Sequence, residues 1–322
     1  MPNRRALVVG IDDYPVKPLS GCINDATALA ELLRTNEDGS PNFDVELFTS
    51  DNNTITRASM LEKIEELFSH SGGDVALLYF SGHGTENNLG GYLVTPDAKR
   101  YNEGVNLTEV LTYANQSTAA ERVIILDSCQ SGHLGNLPTD APNSANLKEG
   151  VSILTASRSD QVSMEKNGRG VFTELVCAAL DGGAADVLGK VSVPAVYSYV
   201  EEALGPWQQR PLFKGHLSKV IELRVAQPAV PIKTLRELTT WFTAIDSEYA
   251  LDPSYEDTSD NQGFTPIEEH VQIFKKLQRC RDAKLVEAVG EDFLYFAAMN
   301  SKSCKLTPLG QRYWKLVKEG RL

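Results

Sequence analysis

Cysteine is sparse and unpaired in this chain: five thiols stand among 322 residues, at positions 22, 129, 177, 280 and 304, with no C-x-x-C spacing. An odd, scattered set is neither a disulfide framework nor a zinc ribbon, and a reducing cytoplasm is the expected compartment. Long apolar runs are lacking as well. The run from Ala6 to Ile11 that follows Arg4-Arg5 stops at Asp12-Asp13. That is too short for a secretory segment, and no stretch reaches the roughly 18 to 20 residues that cross a bilayer, so no membrane partner is expected. Repeats and low-complexity segments are absent too. What remains is ordinary soluble composition, 42% hydrophobic and 23% charged, in a chain longer than one core usually organises. One large domain and a smaller one are expected.

Charge is uneven. The formal total is -12, yet residues 265 to 322 hold eleven Lys/Arg against seven Asp/Glu. The acidic remainder should repel phosphate backbones and favour cationic substrates.

Residues 1–225 alternate short β-branched runs with amphipathic stretches, the pattern of an α/β domain. Arg5–Ile11 reads as a strand, Asn24–Arg34 as a helix capped by Asn24, and Asp74–Phe80 (DVALLYF) and Arg122–Leu126 (RVIIL) as strands buried on both faces. Gly90–Val94 reads as a small hairpin arm, and Lys219–Arg224 as the last strand. Residues 226–232 carry two prolines and no period, a linker. In residues 233–322, Leu235–Ala250 has helical spacing, and Asp246–Gln262 is an acidic loop without the ligand pattern of a calcium site. Thr265-Pro266-Ile267-Glu268 opens a helix to 281. Leu285–Val289 and Phe293–Met299 read as a hairpin, and Thr307-Pro308 opens a last helix to Lys318. Helix, hairpin, helix resembles a small α+β winged-helix module.

Two buried strands end in reactive residues: Tyr79-Phe80-Ser81-Gly82-His83-Gly84 and Leu126-Asp127-Ser128-Cys129-Gln130-Ser131-Gly132. In a parallel sheet both ends lie on the ligand-binding carboxyl edge, about 4.8 Å apart if the strands are neighbours. Period-2 alternation would put Ser81 with His83 and Asp127 with Cys129. His83 could then take the thiol proton of Cys129, and the thiolate could attack a carbonyl carbon. The backbone amides of Gly84 and Cys129 are the natural oxyanion donors. The other histidines and cysteines lack such settings and are read as structural.

These two motifs, with Val8-Val9-Gly10-Ile11-Asp12-Asp13-Tyr14 and Leu19-Ser20-Gly21-Cys22-Ile23-Asn24-Asp25-Ala26 before them, resemble the ordered motifs of metacaspases and bacterial caspase-like proteases. The resemblance covers about the first 225 residues. It implies a caspase-haemoglobinase fold, a mostly parallel sheet sandwiched by helices, and a Cys/His dyad endopeptidase. Asp127-Ser128 stands where animal caspases have Gln-Ala, so the likeness is to metacaspases. It further implies a primary specificity pocket built by Cys22, Asp25, Ser81 and Asp127. Two carboxylates in one partly buried pocket repel each other unless a cation lies between them, so cleavage of protein or peptide substrates after Arg or Lys follows. Many metacaspases bind calcium through aspartates near the site; here only Asp97 is available, and no metal or cofactor is expected.

Control would then come from the C-terminal domain. Caspase-like domains joined to extra modules resemble bacterial defence effectors, latent until a partner protein or nucleotide signal arrives. The loops His133–Gly150 and Ser157–Gly170, with Lys148, Arg158, Lys166 and Arg169, are candidate self-cleavage sites. Two other functions compete. One is a scaffold without turnover. The other is a nucleic-acid-binding regulator using Lys275, Lys276, Arg279 and Arg281 on one helix and Lys305, Arg312, Lys315 and Lys318 near the other; a solvated basic face is the plainer reading. Phe293 to Phe296, Tyr313 and Trp314 are expected in that domain's core.

Overall fold

A computed structural model describes residues 3–69, 72–128, 147–156, 165–166, 169–204, 210–257 and 263–322. They form two compact units, Met1–Ala185 with Gly189–Gln227, and Asp186–Leu188 with Pro228–Leu322.

The first unit runs β1 (Arg4–Gly10), α1 (Cys22–Arg34), β2 (Asp44–Thr49), α2 (Arg57–Ser69), β3 (Val75–Ser81), β4 (Gly84–Asn87), β5 (Gly90–Lys99), β6 (Asn102–Asn106), α3 (Leu107–Gln116), β7 (Glu121–Asp127) and β8 (Val151–Thr155). It continues through β9 (Glu165–Lys166), β10 (Arg169–Gly170), α4 (Val171–Ala178), β11 (Lys190–Ser192), α5 (Val193–Leu204), β12 (Leu212–His216) and β13 (Glu222–Val225). The main sheet has the order β12-β8-β7-β3-β1-β2, parallel except for β12.

Because β1 has β2 on one side and β3 on the other, the sheet reverses its direction of growth there, the point where open α/β sheets bind ligands. Register levels the strand ends: Gly10 lies opposite Ser81, and Ser81 opposite Asp127. Alternate strand residues feed two apolar layers. Val8, Tyr79 and Ile125 pack with residues of α1, α4 and α5, whereas Val9, Phe80 and Leu126 pack with those of α2 and α3. Gly10 is required for the first layer, since a Cβ there would lie 2.4 Å from the Cys22 carbonyl oxygen.

Several sequence expectations shift. Helix α1 starts at Cys22 rather than Asn24, because Asp12 Oδ1 and Oδ2 accept the Cys22 and Ile23 N–H groups at 2.9 and 3.3 Å. The arm at 90–94 is the start of a ten-residue strand paired on both sides, with β4 and β6. The last strand, β13, pairs with β11 outside the main sheet. The main-sheet edge is taken instead by β12, whose half-exposed LFKGH carries no apolar run.

The second unit comprises α6 (Ile232–Trp241), β14 (Glu248–Ala250), α7 (Glu268–Asp282), β15 (Val286–Val289), α8 (Leu294–Met299), β16 (Ser303–Leu306) and α9 (Pro308–Lys318). Its antiparallel sheet places β16 between β14 and β15. The expected helix 235–250 ends at Trp241, and its tail is β14. Helix α7 begins at Glu268 with Ile267 before it, not at a Thr265 cap. The expected hairpin 285–299 is not formed. Leu294, Ala297 and Ala298 are buried at helical spacing, so LYFAAM is α8, and β15 pairs with residues 303–306. That same period leaves Phe293 and Phe296 outside the core, 49% and 47% exposed. The expected linker is anchored on both sides: Ala226 lies in the first unit's core and Val230 in the second's.

Arg122 ties β7 to its surroundings. It is buried, and its guanidinium donates to the carbonyls of Ala114, Ala119, Ala120 and Glu149 at 2.7 to 3.1 Å. Burial lowers its pKa, but the four acceptors keep a charged donor where an apolar side chain would orphan them. Arg122→Met is therefore expected to cost about 3 kcal/mol or more, read as a lower urea midpoint of the first unit.

Candidate active site

Three strand ends build the site. Strand β1 delivers the loop 11–21 and the first turn of α1, β3 delivers Ser81 to Gly84, and β7 delivers Asp127 and Ser128. Cys129 lies outside the described residues. What is described is the chain leading to it: Asp127 is opposite Ser81, and the Asp127 carbonyl accepts the Gly82 N–H at 3.3 Å.

Cys22, Asp25, Ser81 and Asp127 come together beneath this edge, all buried. Burial pushes the Cys22 thiol far up, partly countered by a hydrogen bond with Ser81, while Asp12, Asp127 and Asp25 add negative field. Asp25 and Asp127 converge on Gly170. The Gly170 N–H donates to Asp25 Oδ2 at 3.0 Å, and a Cβ on Gly170 would lie 2.4 Å from Asp127 Oδ2 and 2.9 Å from Asp25 Oδ2. The Thr173 hydroxyl donates to Asp127 Oδ2 at 2.7 Å. With its proton so committed, that hydroxyl accepts from Tyr79 at 2.6 Å. Burial holds Tyr79 well above the ordinary phenol range, so it remains a donor.

His83 does not share the Ser81 face as alternation predicts. Strand β3 ends at Ser81, and the next residue turns the chain. A side chain at Gly82 would meet the Tyr14 hydroxyl at 2.5 Å, so only glycine lets the backbone pass. The His83 ring then packs on Tyr14, centroids 4.6 Å apart, and Tyr14 belongs to the layer on the opposite side of the sheet from Tyr79. The Tyr14 hydroxyl accepts the His83 N–H at 3.0 Å and donates to the Val94 carbonyl at 3.2 Å.

His83 Nε2 lies 2.7 Å from the Lys17 carbonyl oxygen. A carbonyl only accepts, so Nε2 carries a hydrogen, and in the neutral tautomer that this contact selects Nδ1 holds the lone pair. Lys17 holds this carbonyl in place with a left-handed φ of 58°. Gly84 opens β4 opposite Leu93. Of the remaining proposed residues, Asp97 is occupied structurally: its Oδ1 accepts the Arg57 N–H at the start of α2 and the Thr95 hydroxyl. Among the described residues no group of three His, Cys, Asp or Glu side chains could hold a metal ion.

Tyr14, Lys17, Gly170 and Thr173 were not singled out from sequence for any role. Tyr14 stands in the first motif, but its contact with His83 spans 69 residues, and a carbonyl acceptor leaves no trace in side-chain identity.

The family pattern of the caspase domain matches residues 3–221. The chain belongs to the caspase-domain family. Among solved structures it is similar to caspase-1 from Spodoptera frugiperda, at TM-score 0.52 and 14% identity over 70% of this chain and 91% of that one. It is likewise similar to protein GSU0716 from Geobacter sulfurreducens, at TM-score 0.51 and 17% identity over 70% of this chain and all of that one. No curated protein matches it. The fold is thus the caspase-haemoglobinase fold, and membership points to a cysteine-type peptidase acting on protein substrates. No helix of the described residues is long and apolar enough to cross a membrane.

Two outcomes test this arrangement. Four thiols are held protonated by burial, with Cys177, Cys280 and Cys304 each pushed up to about 12 and Cys22 higher still. Iodoacetamide at neutral pH should therefore label one site in the native chain, Cys129, as located by mass spectrometry; labelling at the other four would contradict the burial. Tyr14→Phe should lower stability by about 1 to 2 kcal/mol through two lost hydrogen bonds, and should lower kcat more than it raises KM.

Proposed function

We propose that this caspase-domain protein is a cysteine endopeptidase that cleaves after Arg or Lys with a His83/Cys129 dyad. His83 Nδ1 takes the Cys129 thiol proton, and the thiolate adds to the carbonyl carbon of the scissile bond. The Gly84 and Cys129 amides hold the resulting oxyanion. When the C–N bond breaks, the carbonyl re-forms, His83 returns its proton to the leaving amine, and a thioester remains on Cys129. Water deprotonated by His83 then releases the acid and the thiol.

What carries the reading is the meeting of Asp25 and Asp127 at Gly170, just beneath the strand ends that lead to both reactive groups. A substrate guanidinium or ammonium offers the charge such a pair calls for, and Cys22 and Ser81 complete the pocket. Backbone stands in that space here, with Asp25 and Asp127 only 2% and 6% exposed. The substrate cation must displace the Gly170 end of β10. A latent effector follows, with a slow basal turnover that a partner protein or nucleotide signal acting through residues 233–322 raises, and calcium is not required. Bacterial defence is the setting that architecture favours.

The nucleic-acid reading is weaker, because Lys275, Lys276, Arg281 and Lys305 are already ion-paired with Asp257, Glu237, Asp282 and Glu287. The scaffold reading predicts that Cys129→Ala keeps function. Self-cleavage at Lys148 or Arg169 remains compatible with the specificity; Arg158 and the Lys166 side chain lie outside the described residues.

The test compares fluorogenic peptides ending in Arg, Lys or Asp, with wild type and Cys129→Ala, with and without calcium. Turnover is expected on Arg and Lys alone, lost in the variant and indifferent to calcium. Asp25→Asn should lower kcat/KM on Arg peptides by about 10- to 100-fold, the worth of a charge-assisted pair. A preference for Asp peptides would overturn the pocket.

A further inference from the structure

Beside His83, away from the acid pair, the first unit has a cleft of about 420 Å³. One wall is apolar, formed by Tyr14, Pro15, Val16 and Pro96. Val16 stands 76% exposed, a large apolar side chain with nothing over it. The rim is basic: Lys17, Lys99 and Arg100 line it against Glu103 alone. None of those three cations makes an ion pair among the described residues, although the Arg100 guanidinium lies over the Tyr101 ring. A net positive rim is unusual in a chain of charge -12.

Position decides what such a cleft would take. The carboxylates sit in the layer under α1 and α4, while Tyr14 and Val94, which line the cleft, belong to the other layer, with His83 between. In the proposed reaction the residue before the scissile bond occupies the acid pair, and the amine that leaves takes its proton from His83. The chain beyond that amine therefore runs past His83, away from Asp25 and Asp127.

We infer that this cleft, on the protease reading above, is the leaving-side subsite, which selects an apolar residue directly after the cleaved bond and acidic residues after that. The apolar side chain covers Val16 and Tyr14, and the acids meet Lys99 and Arg100. The preferred sequence is then a cation, an apolar residue and an acid in that order, read on opposite sides of one sheet edge.

The test uses internally quenched peptides identical up to Arg, followed by Leu-Asp-Asp, Leu-Asn-Asn, Leu-Lys-Lys or Gly-Asp-Asp. Wild type should favour Leu-Asp-Asp over Leu-Lys-Lys by about fivefold in kcat/KM, the scale of two exposed ion pairs. The double variant Lys99→Glu, Arg100→Glu should invert that order, and Val16→Ser should narrow the advantage of Leu over Gly. Lys17 is left intact because its carbonyl orients His83. Equal rates across the series, or an order unchanged by charge reversal, would overturn the subsite. A peptidyl-arginine coumarylamide, which has no residue after the cleaved bond, separates the two failures. If it is cut while the series is flat, the subsite alone falls; if wild type cuts neither it nor any peptide, the protease reading falls and takes the subsite with it.

Discussion

Two buried carboxylates that meet at one glycine set the terms for everything around them. Asp25 comes from the first turn of α1 and Asp127 from the end of β7, and their oxygens close on Gly170 from two sides. Like charges so placed would drive the fold apart or force a proton onto one of them. The surroundings answer with donors: a backbone N–H at Asp25, and a relay of hydroxyls from Tyr79 through Thr173 at Asp127. Position 170 must then be glycine for a steric reason, with no appeal to its torsion freedom, since any Cβ would occupy the space of a carboxylate oxygen.

The same economy governs His83. Its backbone N–H, its ring face and its Nε2 are each held by the segment after β1, through the Tyr14 hydroxyl, the Tyr14 ring and the Lys17 carbonyl. Fixing one ring nitrogen to an acceptor decides the tautomer, and thereby which atom can act as a base, without spending a third charged residue. The cost falls on Lys17, a non-glycine residue in left-handed backbone, and such local strain persists only where neighbours over-determine it.

How much of this was legible in the chain follows from what each feature depends on. Strands β3 and β7 announce themselves as continuous apolar runs because both faces are covered, and the parallel sheet follows from their alternation with helices. The grouping of Cys22, Asp25, Ser81 and Asp127 came through the resemblance to metacaspase motifs, since no local period relates a helix start to the ends of two distant strands. The direction of His83 was not legible, since it rests on Gly82 and on a tyrosine 69 residues away that no local period reports. Segment 294–299 failed for a different reason: LYFAAM is too short an apolar run for its period to separate helix from strand, and burial of Leu294, Ala297 and Ala298 decides. Edge strand β12 pairs only through its backbone on one side, so its side chains carry little pattern.

The sheet itself acts as a partition. Strand alternation sends Ser81 and Asp127 toward the layer of α1 and α4, and the turn at Gly82 sends His83 toward the layer of α2 and α3. Ser81 and His83 are thereby separated by the thickness of a backbone although they are two residues apart in sequence. Turning His83 away lets one sheet edge present two buried carboxylates to one layer and an imidazole to the other, so that groups on the two faces can meet different parts of one bound chain.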